Sequence, residues 1–85
     1  MTNTLSKPQP IRLSRERALR SSLVTKREKE ILRFMSFGYT SIEIASSLFI
    51  SEHTVISHRK NLMIKLDARN SAHLIMKGVR LGLLN

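Results

Sequence analysis

Residues 40–66 read TSIEIASSLFISEHTVISHRKNLMIKL, and the fold follows from how this stretch divides. Thr40-Ser41-Ile42-Glu43 is a capping box, in which the Thr hydroxyl takes a backbone N–H of the first turn and the Glu carboxylate reaches back to the cap. It predicts a short helix with Ile44, Ala45 and Leu48 turned inward. Phe49-Ile50 makes a turn without glycine, and Ser51 is a good N-cap for a longer helix that follows. In that longer helix Val55, Leu62 and Leu66 share one face with Arg59 between them, while Ile56, Ser57, Lys60 and Asn61 occupy the opposite face. No acidic side chain lies between His53 and Lys65. Two helices joined by about three residues, with a small alanine where they approach, have the layout of a helix-turn-helix. The acid-free face suits a phosphate-lined groove. It also suits an ordinary solvated face of an amphipathic helix.

Upstream, Thr25-Lys26-Arg27-Glu28 is a second capping box, and Ile31, Leu32 and Met35, with Phe34 or Phe37, form the buried stripe of a first helix that Gly38 ends. Residues 1–22 have a different composition: Pro8, Pro10, several Ser and Thr, and Lys7, Arg12, Arg15, Arg17 and Arg20 against a lone Glu16. They read as a basic, mostly disordered arm, with a short helix conceivable over Ser14 to Ser21 but too thin an apolar face to hold it alone. The arm either adds phosphate or minor-groove contacts or serves as a solubilising leader. The folded domain is therefore placed at residues 23–85. Downstream of Asp67-Ala68-Arg69, Asn70 or Ser71 caps a last helix that runs to about Leu81, with Gly82 as its stop. Ala72, Ile75 and Val79 lie on one face of it and Leu74, Gly78 and Leu81 on an adjoining one. That apolar surface is wider than one small core covers, so it packs internally on both faces or meets the same helix of a second chain.

Eighty-five residues make one small domain. The net charge of +9 and a pI near 11.3 favour an anionic partner, either nucleic acid or an acidic membrane surface. No apolar run approaches the roughly 20 residues of a membrane span, and the N-terminus lacks the apolar core of a secretory signal. With no cysteine, disulfides and thiolate zinc sites are excluded, which suits a cytoplasmic setting. The histidines His53, His58 and His73 have no metal-ligand spacing, the acids are scattered, and no glycine-rich phosphate loop exists. No enzyme, metal or cofactor is expected. His58 sits at the edge between core and groove, where it either donates to a phosphate or closes the core.

From Val24 onward the chain resembles the DNA-binding domain of the LuxR-type (GerE/NarL-like) bacterial transcription regulators. The resemblance rests on Thr25-Lys26-Arg27-Glu28-Lys29-Glu30-Ile31-Leu32, Gly38-Tyr39-Thr40-Ser41-Ile42-Glu43-Ile44-Ala45, Leu48-Phe49-Ile50-Ser51, Thr54-Val55, His58, Lys65-Leu66, Asn70 and Gly82-Leu83. It implies an all-α, four-helix domain whose third helix enters the major groove of double-stranded DNA and whose fourth forms a homodimer. By that correspondence Ile56, Ser57 and Lys60 read bases. The backbone contacts are Thr40, Ser41, Ser51, Thr54, His58, Arg59 and Lys65, and the dimer helix presents Ala72, His73, Ile75, Met76 and Val79.

The chain departs from the pattern in three places. The family usually has Lys or Arg where Ile56 stands; an isoleucine packs on a thymine methyl but donates no hydrogen bond to a guanine edge, so an A·T-biased step is expected there. Ser41 replaces the usual Asn before the second helix. Leu74 and Gly78 stand where alanine is usual, which is expected to shift or weaken the dimer contact. Many relatives carry a further domain ahead of this one, and the Met1 start favours a stand-alone regulator over an isolated C-terminal domain. The alternative function is a protein-interaction module that modulates another regulator or RNA polymerase, to which Ile56 and Ile64 lend weight. A sigma-factor-like domain and a basic membrane-surface binder fit less well.

Overall fold

The computed structural model describes residues 19–84. After a helical turn at residues 19–23, the chain forms α1 (Lys26–Ser36), α2 (Ser41–Leu48), α3 (Glu52–Lys65) and α4 (Ser71–Arg80), with no strand among the described residues. The all-α, four-helix expectation holds. The expectation for the basic arm falls mostly on residues 1–18, outside the described residues, as does most of the helix conceived over Ser14 to Ser21; of that span only residues 19–21 are described, and they are helical.

Each helix begins where a short polar side chain can satisfy its own backbone. Thr25 Oγ1 accepts from the Glu28 N–H at 3.1 Å while Glu28 Oε1 accepts from the Thr25 N–H at 2.9 Å. Thr40 and Glu43 repeat the box at 3.2 and 2.8 Å. Ser51 Oγ accepts from the Thr54 N–H at 3.0 Å, and Asn70 Oδ1, rather than Ser71, accepts from the His73 N–H at 2.8 Å. Such caps are each worth about 1 kcal/mol.

The helix ends are as regular. Gly38, with φ 88°, lets the Tyr39 N–H bond back to the Phe34 carbonyl and its own N–H to Met35, and the Phe34 and Tyr39 rings pack at 5.0 Å. This is a Schellman end with its apolar contact. Gly82 closes α4 the same way. Phe49 (φ 58°) and Asp67 (φ 53°) take the left-handed conformation without being glycine, at the ends of α2 and α3.

The four inward faces meet in one core of Ile31, Leu32, Ile44, Val55, Leu62, Leu66 and Leu74, all fully buried. Each such side chain contributes roughly 1.5–3 kcal/mol of transfer free energy. Of the two phenylalanines proposed for α1, Phe34 packs on this core and Phe37 is exposed. α4 turns Leu74 and Gly78 inward. A Cβ on Gly78 would stand 2.8 Å from Leu32 Cδ2, so the glycine admits a close approach of α4 to α1. Both Leu74 and Gly78 face the core, so what they adjust directly is the seat of α4 on α1.

Candidate nucleic-acid interface

α3 is held by its inner side and displays the other. Its inner row of Val55, Leu62 and Leu66 is sealed in the core. Along the outer side His53, Ile56, Ser57, Lys60, Asn61 and Ile64 are all exposed, Ile56 by 42% and Ile64 by 77%. Glu52, in the first turn, is the one acid of the helix and lies beside the positive end of its dipole. The displayed row thus carries one full positive charge, at Lys60, hydroxyl and amide groups at Ser57 and Asn61, and two isoleucines.

The polar residues expected to meet a phosphate backbone divide into two groups. Thr40, Ser51 and Thr54 sit at the starts of α2 and α3, near the dipole ends that favour anions. Their hydroxyls already cap: Ser51 Oγ and Thr54 Oγ1 share a hydrogen bond of 2.8 Å. His58 is half-buried, and its Nδ1 is buried without a partner among the described residues. That burial suits the tautomer with its proton on Nε2, the nitrogen left to meet water or a phosphate.

Arg59 and Lys65, also expected on the phosphate side, have partners within the fold. Arg59 Nη1 donates to Ser41 Oγ at 2.7 Å and Nη2 to Ser71 Oγ at 2.8 Å, so the half-buried guanidinium is tied to the fold and engages Ser41 as well. Lys65 Nζ donates to both carboxylate oxygens of Glu28, at 2.8 and 2.9 Å, and Arg20 Nη1 donates to the Lys65 carbonyl at 3.4 Å. Glu28 is 2% exposed. Burial pushes its carboxyl up, but the hydrogen bonds from Lys65 and Thr25 and the Lys65 charge outweigh this and hold it below the ordinary value of 4.5. The position of Arg59 between Val55 and Leu62 is the sequence signal that it points inward. Nothing local marks Glu28 or Ser71 as the partners.

On α4, the residues proposed to meet a second chain are not alike. Ala72, Met76 and Val79 are exposed, whereas Ile75 packs partly on the core. His73 is half-buried, and its Nδ1 accepts from the Arg69 N–H at 3.0 Å, closing the turn between α3 and α4. Among the described residues no cluster of His, Asp and Glu has the makings of a metal site, and no helix is long and apolar enough to cross a membrane.

Comparison with known proteins bears on this surface. The family described as bacterial regulatory proteins, luxR family, matches residues 22–77. Regulatory protein SdiA of Escherichia coli (strain K12) is 47% identical over 60 residues, covering 71% of this chain and 25% of that protein. Spore germination protein GerE of Bacillus subtilis (strain 168) is 42% identical over 60 residues, covering 71% of this chain and 81% of GerE. The CsgBAC operon transcriptional regulatory protein of Escherichia coli (strain K12) is 52% identical over 50 residues, covering 59% of this chain and 23% of that protein. The chain thus spans a minor part of SdiA and of the CsgBAC operon regulator, and most of GerE.

Proposed function

The chain belongs to the luxR family of bacterial regulatory proteins, DNA-binding regulators of transcription, and on that premise we propose that it binds duplex DNA sequence-specifically as a homodimer. In this reading α3 lies in the major groove with Ile56, Ser57 and Lys60 toward base edges. Thr40, Ser41, Ser51, Thr54 and His58 line the phosphate side, and the Ala72, Met76 and Val79 face of α4 meets its copy. The observation that carries the reading is the outer row of α3, exposed and free of acid beyond its first turn while every other face of the helix is packed or bonded. Lys60 is the charged donor there, suited to guanine O6 and N7, and Ile56 supplies an apolar contact suited to a thymine methyl. The protein has no catalytic role in this account and acts in the cytoplasm, where its DNA is.

Selection from random duplexes at two salt concentrations tests it. The expected product is an inverted repeat with an A·T-biased step that Ile56→Lys changes. Lys60→Ala should weaken the selected site by roughly 1–3 kcal/mol and relax one position. A loss of equal size on all sequences would make Lys60 a phosphate contact instead. The second reading, a module that docks on another regulator or RNA polymerase, is favoured by the 77% exposure of Ile64. It gains if the selection returns no preferred sequence.

A further inference from the structure

Arg59 joins α3 to two other helices. Its two terminal nitrogens grip different helices: Nη1 the hydroxyl of Ser41, first residue of α2, and Nη2 the hydroxyl of Ser71, first residue of α4. A guanidinium is planar and rigid, so two bonds of 2.7 and 2.8 Å from one fork fix the orientation of three helices, not merely their separation. Electrostatic gain is not the reason for the arrangement. Among the described residues no carboxylate pairs with Arg59, and the first turn of α4 holds no acid, so a full positive charge stands by the positive pole of that helix. What the fork delivers is geometry.

We propose that Arg59 is a positioning residue: it sets the angle between the reading helix α3 and the outward-facing helix α4, and thereby the half-site spacing that the dimer accepts. The inference rests on the dimeric, DNA-binding reading above. The lever is long enough to matter. α3 has 14 residues, about 21 Å at 1.5 Å per residue. Arg59 stands near its middle, so a tilt of about 10° about that point moves either end by roughly 2 Å, about half the rise of one base pair. Two such errors, related by the dimer axis, add.

The test uses the full chain and the selected half-site, presented alone and as inverted repeats whose spacer differs from the selected one by −1, 0, +1 or +2 base pairs. The wild-type protein should prefer one spacing by about tenfold or more, a coupling of ordinary size between two sites. Arg59→Met and Ser71→Ala should both reduce that preference to about threefold or less while changing affinity for the lone half-site by less than about threefold. Ser71→Thr, which keeps the hydroxyl, should retain it. If Arg59→Met fails to fold, as a thermal melt would reveal, the two Ser71 variants decide. Unchanged spacing preference in Ser71→Ala overturns the inference and leaves the DNA-binding reading standing. Equal losses on half-site and repeat, with a shallower salt dependence, would also overturn it by making Arg59 a phosphate contact. A wild-type protein that prefers no spacing at all removes the dimeric reading and this inference together.

Discussion

The Glu28 carboxylate takes three hydrogen bonds from two partners and meets almost no water. It caps α1 through the Thr25 N–H, takes both bonds of the Lys65 ammonium, and is buried under the end of α3. Its carboxyl is held below 4.5, so the folded protein binds that proton less readily than the unfolded chain does. The sign follows: the stabilisation is complete above the unfolded value and is lost as pH falls through the lowered folded value. Glu28→Gln keeps an acceptor for Thr25 but leaves Lys65 facing a neutral amide. It should cost roughly 1.5–3 kcal/mol at pH 7, the range for hydrogen bonds to charged groups. It should also flatten the loss of stability below pH 4.5. Urea denaturation of both proteins at pH 7 and in acid measures this. Parallel acid limbs would mean the proton linkage lies on another carboxylate.

At the scale of elements, the turn between α2 and α3 is where local chemistry and sequence disagree. Phe49 ends α2 in the left-handed conformation and is 95% exposed, so its ring gains little from packing while its backbone pays the cost of a Cβ near a carbonyl. Phe49→Gly should raise stability by about 0.5–1 kcal/mol, the relief of roughly 1–2 kcal/mol reduced by the greater freedom glycine brings to the unfolded chain. A higher urea midpoint with unchanged slope is the expected result, and a lower midpoint would show that the ring has a partner in the fold. The helices themselves were readable because Thr25, Thr40, Ser51 and Asn70 bond to backbone three residues away, a distance that a short motif encodes. Periodicity likewise placed Val55, Leu62 and Leu66 inside. It could not say what Arg59 and Lys65 touch, because Ser41, Ser71 and Glu28 lie 18, 12 and 37 residues away along the chain. A periodic pattern gives the direction of a side chain, and only the packed arrangement supplies its partner. The expectation that Arg59 and Lys65 meet phosphates came from the family resemblance, which carries no information on these partners.

For the whole molecule, the distribution of apolar surface matters more than its amount. α4 closes the core with Leu74 and Gly78 and leaves Ala72, Met76 and Val79 outside, a narrow stripe on a chain of net charge +9. Two copies meeting through that stripe about a two-fold axis would each bring Val79 into the contact, since an isologous interface pairs a patch with itself. Val79 is 62% exposed, so Val79→Glu should leave the monomer's stability within about 0.5 kcal/mol. In the dimer the same substitution buries two carboxylates against apolar neighbours and each other. Self-association should weaken by at least about tenfold, a cost of roughly 1.4 kcal/mol or more, in keeping with desolvation of unpaired charge. On DNA the consequence is specific: binding to a lone half-site persists, while the gain from a second, correctly spaced half-site disappears. Sedimentation equilibrium over a range of concentrations reads the first effect, and titration of half-site and repeat duplexes reads the second. Unchanged self-association would move the dimer contact off this face of α4.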